Sequence, residues 1–259
     1  MCHLLNKLSN VVALDEPLEA FTTRWSFHVL ICKRIDRFFA QSRRSICTRQ
    51  TAISKHVGGE VPSNTFGDQR DDSGWRRRLA ARGEIHIDKV LTPNFLLVIK
   101  HPSVFTAILE SLNKKFPTFA VIRNPLAVLA SWNSVPFRVS NGHAPAAERL
   151  DKGLRQTLAR MSDRTERQIQ LLSWFFERYR RVLPEASILR YEDVISSRGR
   201  ALSVITPQAS CFDVALENKN QNTVYDRELM QVLGKRLLET EGPYWTFYTK
   251  ESVEQLLAH

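Results

Sequence analysis

The chain has 259 residues, with 37 Lys and Arg against 27 Asp and Glu and a formal charge of +10. That length supports one large α/β domain with a well-buried core, or at most two smaller ones, and the excess of cations points to an anionic partner such as a nucleotide, a nucleic acid or an acidic surface. The basic residues are scattered through Lys33 to Arg37, Arg43 and Arg44, Arg76 to Arg78, and Arg178 to Arg181 without interleaved aromatics, which sets aside a dedicated nucleic-acid binder.

Taken in chain order, Leu4, Leu5 and Leu8 read as the tail of a helix, and NVVALDEP follows as a short strand ending in Asp15 and Glu16. Residues 18 to 50 carry apolar positions at helical spacing and predict one or two helices. The stretch from Ser54 to Arg78 is rich in Gly, Asp, Ser and Arg, and predicts a mobile loop. FLLVIKHP at 95 to 102 predicts a second buried strand, and a helix is expected from Ser103. A loop near 136 to 147 precedes a long helix in which Ile169, Leu172, Phe175, Phe176 and Tyr179 form a core stripe. SILRYEDVI at 187 to 195 predicts a further strand; beyond Ser196 come short helices and the aromatic segment YWTFY. Apolar runs such as FLLVI are too short to cross a bilayer, and there is neither an internal repeat nor a strong domain boundary. A single domain over 1–259 is expected.

Four cysteines, Cys2, Cys32, Cys47 and Cys211, lack CxxC or metal-ligand spacing, the seven His do not cluster, and nothing resembles a secretory signal. A reduced, cytoplasmic protein without a metal is the expectation.

The most informative segment is FPTFAVIRNPLAVLASW at 116 to 132. Phe119 to Ile122 suit a strand covered on both faces, Arg123 adds a fixed charge, Asn124 is a good helix N-cap and Pro125 is pre-set for the first helical position. The open N–H groups of such a helix and the Arg123 guanidinium together favour a phosphate, and Ser131, eight residues after Arg123, adds a hydroxyl two turns along. An ordinary βα unit with a surface Arg has the same pattern. Three strands therefore end in charge at what should be one edge of a parallel sheet: Glu16, Lys100 with His101, and Arg123. Ligands of open α/β sheets bind at that edge.

In order and approximate spacing, NVVALDEP, IKHP, FAVIRNPLAVLAS and LRYEDV resemble the sulfotransferase family that uses 3′-phosphoadenosine 5′-phosphosulfate, especially its bacterial and tyrosylprotein-sulfotransferase-like branches. The likeness covers roughly residues 1 to 195 and implies a three-layer, mostly parallel sheet flanked by helices, like that of P-loop nucleoside triphosphate hydrolases. It implies that Arg123 and Ser131 hold the 3′-phosphate of the donor and that Tyr191 lies near its adenosine end. It further implies Lys100 as the cation facing the bridging oxygen and Glu16 as the base, with His101 competing for that role as in the cytosolic branch. The family's Ser-Gly-Thr loop for the 5′-phosphosulfate would fall before Met1, so the fold is expected to be N-terminally truncated. The expected activity is sulfuryl transfer to a hydroxyl or amine of a small molecule, glycan or protein, without a metal. The alternative is a catalytically impaired remnant that binds a nucleotide or a partner. A P-loop kinase shares the architecture but needs a Walker lysine and a magnesium-binding acid, and neither is recognisable.

Overall fold

VVALD has no polar break before its terminal acid, and in the computed structural model, which describes residues 1–18 and 28–258, it forms strand β1 (Val11–Asp15) with all five residues buried. Helix α1 (Cys2–Leu5) precedes it. After it come α2 (His28–Arg49) and strands β2 (Thr51–His56), β3 (Phe66–Arg70), β4 (Arg76–Arg78), β5 (Ala81–His86) and β6 (Leu96–Lys100). Helices α3 (Pro102–Ala107) and α4 (Leu109–Asn113) lead to β7 (Ala120–Ile122), α5 (Pro125–Trp132), α6 (Pro145–Leu150), α7 (Lys152–Ala159) and α8 (Arg164–Val182). The chain closes with β8 (Ile188–Arg190), α9 (Tyr191–Ser196), α10 (Arg227–Leu238) and α11 (Lys250–Leu257). The fold is α/β, built of helices and small sheets of which some are parallel.

The described residues pack as two compact units, one within Met1–Gly67 and Arg78–Leu112, the other within Asp68–Arg77 and Asn113–His259. The division is interleaved, so no linker-like stretch marks it in the sequence, where a single domain is expected. Parallel pairing is likewise distributed over two two-stranded sheets, one in each unit.

In the first unit β1 runs parallel to β6, with Val11 opposite Leu96 and Asp15 opposite Lys100. Strand β2 pairs antiparallel with β5, and the Ser54 hydroxyl of β2 accepts from the Asp15 N–H at 2.9 Å. Leu4, Leu5, Val12, Leu14, Ile35, Phe95 and Val104 fill the core beneath. Lys89 donates to the carbonyls of Asn6 at 2.5 Å, Leu8 at 2.9 Å and Val11 at 2.7 Å, pinning the turn between α1 and β1 with one ammonium group.

The segment 54–78 is not the loop its composition predicts. TAISKH forms a strand whose burial alternates, with Ala52 and Ser54 buried while Thr51, Ile53 and Lys55 are half-buried. Gly58 and Gly59, at φ of 58° and 90°, make the turn after it, and the Asp71 carboxylate holds a second turn by accepting from the Ser73 and Trp75 N–H groups at 3.0 and 3.1 Å. The turn residues are real, and they connect strands. The helix expected from Ser103 is broken at Ile108, whose φ of −112° lies outside the helical range.

In the second unit β7 runs parallel to β8, with Ile122 opposite Arg190. The core stripe of α8 contributes Ile169, Leu172 and Phe176, and Phe176 meets the rings of Tyr244, Phe247 and Tyr248 at centroid distances of 6.1, 5.9 and 6.3 Å. Leu126 and Leu129 of α5 and Leu233 and Leu237 of α10, all fully buried, complete this core. The strand expected over 187–195 ends at Arg190, and Tyr191 opens α9 with Glu192 and Asp193 in its first turn, where acids oppose the helix dipole favourably.

Candidate functional site

In the first unit, the register that pairs Asp15 with Lys100 sets the charges after both apolar runs side by side. Lys100 Nζ donates to Asp15 Oδ1 at 2.8 Å, and the Glu16 N–H donates to the Lys100 carbonyl at 2.8 Å, which extends the ladder one residue past the strand. Glu16 has a φ of 40°, in the left-handed region sparsely used by residues other than glycine. Its carboxylate forms an ion pair with Lys55 of β2. His101 caps α3 and is 9% exposed; its Nε2 lies 3.3 Å from the Leu18 carbonyl oxygen, while its buried Nδ1 has no hydrogen-bond partner among the described residues.

The electrostatics of these groups differ in kind. Burial raises the Glu16 carboxyl, but Lys55, by charge and hydrogen bond, with Lys100 and His101, more than reverses this and holds it below the usual carboxylate range. Packing around the Lys100 ammonium lowers its pKa, and the Asp15 carboxylate overrides that, leaving it raised. Burial lowers the His101 imidazole, and the pull of Glu16 only partly offsets it. Burial therefore holds His101 toward its neutral form, with Nδ1 unpaired but buried, whereas Glu16 is a carboxylate already committed to a cation.

In the second unit, the turn after β7 forms as its residues dictate. Asn124 caps α5 by accepting from the Leu126 N–H at 3.0 Å, and Pro125 follows at the first helical position. The helix end is not open, however. The Asn124 N–H donates to Glu192 Oε1 at 3.0 Å, Pro125 has no N–H, and the Leu126 N–H is spent on the cap. A carboxylate of the chain itself stands where the sequence suggests a phosphate.

Arg123 is held firmly. Its Nε donates to Asn220 Oδ1 at 2.7 Å, its Nη2 donates to the Lys219 carbonyl, and the guanidinium lies 4.9 Å from the Tyr191 ring centre and 6.0 Å from that of Tyr225. Its Nη1 has no hydrogen-bond partner among the described residues. The Tyr191 hydroxyl accepts from the Lys219 N–H at 2.9 Å and donates to the Glu217 carbonyl at 3.2 Å, fixing the segment that Arg123 binds. Arg123 and Tyr191 are thus brought together. Ser131 lies in the last turn of α5, about 9 Å along the axis from Pro125 at 1.5 Å per residue, and its carbonyl accepts from the Ser134 N–H and hydroxyl. The Arg123 fork meets residues 219 and 220 instead.

Glu192, Asn220, Tyr225 and Tyr248 escape a reading of the sequence alone. Glu192 had a local signal, since an acid next to Tyr191 follows a strand that pairs with the strand bearing Arg123. Asn220 and Tyr225 come from a region without periodicity and Tyr248 from the aromatic segment YWTFY, and only the packing of the folded unit brings them to Arg123 and Glu192. Among the described residues no group of three His, Cys, Asp or Glu stands close enough to hold a metal ion, and no helix is long and apolar enough to cross a membrane. No protein-family model, no curated protein and no solved structure matches the chain.

Proposed function

We propose that the protein is a sulfotransferase of P-loop-like fold that takes 3′-phosphoadenosine 5′-phosphosulfate as donor and works in the cytoplasm. The observation that carries the reading is Arg123: a guanidinium at the end of a parallel strand, stacked over Tyr191, with Nη1 uncommitted beside the head of α5. Planar bidentate donors of this kind suit phosphate oxygens. Arg123 holds the 3′-phosphate and Tyr191 supports the adenosine end. In the transfer, the bond from sulfur to the donor's bridging oxygen breaks as sulfur bonds to the acceptor oxygen or nitrogen. The acceptor proton passes to a base, Lys100 stabilises the charge left on the bridging oxygen, and adenosine 3′,5′-bisphosphate departs. Proton acceptance contributes roughly two to four powers of ten in rate. Between the two bases, the ion pair that ties Glu16 to Lys55 favours His101, whose ring Nδ1 is unpaired.

A second reading, a nucleotide- or partner-binding remnant, draws support from the internal pairing of Lys100 with Asp15 and of Glu16 with Lys55. Transfer of labelled sulfate from the donor to a panel of phenolic, alcoholic and amine acceptors separates the two. Sulfated product that falls at least a hundredfold in His101→Ala and less in Glu16→Gln is the expected result. Donor binding without transfer to any acceptor would leave the remnant reading, and loss of transfer in Glu16→Gln alone would return the base to Glu16.

A further inference from the structure

The Glu192 side chain is tied by three donors: the Asn124 N–H at 3.0 Å and Asn220 Nδ2 at 2.7 Å on Oε1, and the Tyr248 hydroxyl at 2.8 Å on Oε2. Its charge lies against the positive end of α5, a position that favours any anion. Asn220, 4% exposed, links this carboxylate to Arg123, because Nδ2 serves Glu192 while Oδ1 accepts from Arg123 Nε at 2.7 Å. Nearby, the Arg190 guanidinium lies 4.7 Å from the Tyr248 ring centre, and its buried Nε has no hydrogen-bond partner. The carboxylate is therefore one residue removed from each of two arginines: Arg123 through Asn220, with an uncommitted Nη1, and Arg190 through Tyr248, with an unpaired Nε.

That arrangement holds more cationic and N–H capacity than one carboxylate uses. A phosphate dianion offers three oxygens and a second charge to the same donors, so it can replace the carboxylate where a monoanion gains little. We propose that Glu192 is a resident counter-anion that gates this site: a phosphate ester enters by displacing the carboxylate from Asn124 and Asn220, and takes Arg123 from the Lys219 carbonyl as it does so. The gate deepens the proposed function and rests on the reading of Arg123 as the phosphate holder. Asn220 is the coupling element, since the movement that frees one of its amide atoms frees the other.

The test is calorimetric titration of adenosine 3′,5′-bisphosphate into the wild-type chain, Glu192→Gln, Tyr248→Phe and Arg123→Ala, with unphosphorylated adenosine as control. Glu192→Gln keeps an acceptor for the Asn124 N–H but removes the competing charge, and should tighten bisphosphate binding about tenfold while leaving adenosine unchanged. Tyr248→Phe removes one tether without altering charge, and should tighten it about twofold to threefold, which keeps the idea testable if Glu192→Gln does not fold. Unchanged or weaker bisphosphate binding in folded Glu192→Gln or Tyr248→Phe, alongside a clear loss in Arg123→Ala, would overturn the gate and leave the phosphate reading standing. Unchanged binding in Arg123→Ala would remove the phosphate reading itself.

Discussion

Burial holds the His101 imidazole below its ordinary range, so the unfolded chain takes up a proton before the folded chain does. The stabilisation this represents is complete above about pH 6.5, the unfolded value, and is lost as the pH falls from there toward the lowered folded value. Urea unfolding followed from pH 7.5 to 5 should therefore show the wild-type chain losing stability relative to His101→Gln, which does not titrate. Parallel curves for the two would show that the imidazole is not desolvated. At this scale the sequence was informative about which residues matter and silent about their partners. Glu16, Lys100 and His101 stand out because each follows an apolar run, but Lys55, which ties up Glu16, lies on a strand concealed within a Gly- and Ser-rich stretch. The preference for His101 over Glu16 comes from that contact.

Among the elements, the β7 to α5 turn was the most legible, since strand run, cation, cap and proline are contiguous and each acts locally. Strands β2 and β5 were not, because neither TAISKH nor ARGEIH carries an apolar alternation. The YED segment misled for a related reason: apolar residues before Tyr191 read as strand, and the acids after it start a helix. Close packing of elements gives a prediction of its own. Gly142 ends a 3-10 turn at φ 73°, and a Cβ there would lie 2.4 Å from Arg167 Cβ and 2.8 Å from its backbone carbon in α8. Left-handed strain and a clash with backbone act together, so Gly142→Ala should cost about 2 kcal/mol or more of stability, read as a lower urea midpoint. An unaltered midpoint would mean that the turn and α8 separate easily.

For the whole molecule, the features that position the candidate site are long-range. Arg123 is held by Asn220, 97 residues later, and Asn124 by Ser252, 128 residues later. No local pattern in the sequence encodes such pairings; they follow from the burial of Tyr225, Tyr244 and Tyr248 in the core that α5, α8 and α10 share. The formal charge of +10 agrees with an anionic ligand but does not choose one, and it is Arg123 that gives the choice a place. The most direct measurement is the contribution of the 3′-phosphate to binding, taken as the ratio of affinities for adenosine 3′,5′-bisphosphate and adenosine 5′-monophosphate. A guanidinium that grips this group should make the ratio about tenfold or greater in the wild-type chain and bring it close to one in Arg123→Ala. Equal affinities for the two nucleotides in the wild-type chain would contradict the role given to Arg123, and with it the sulfotransferase reading.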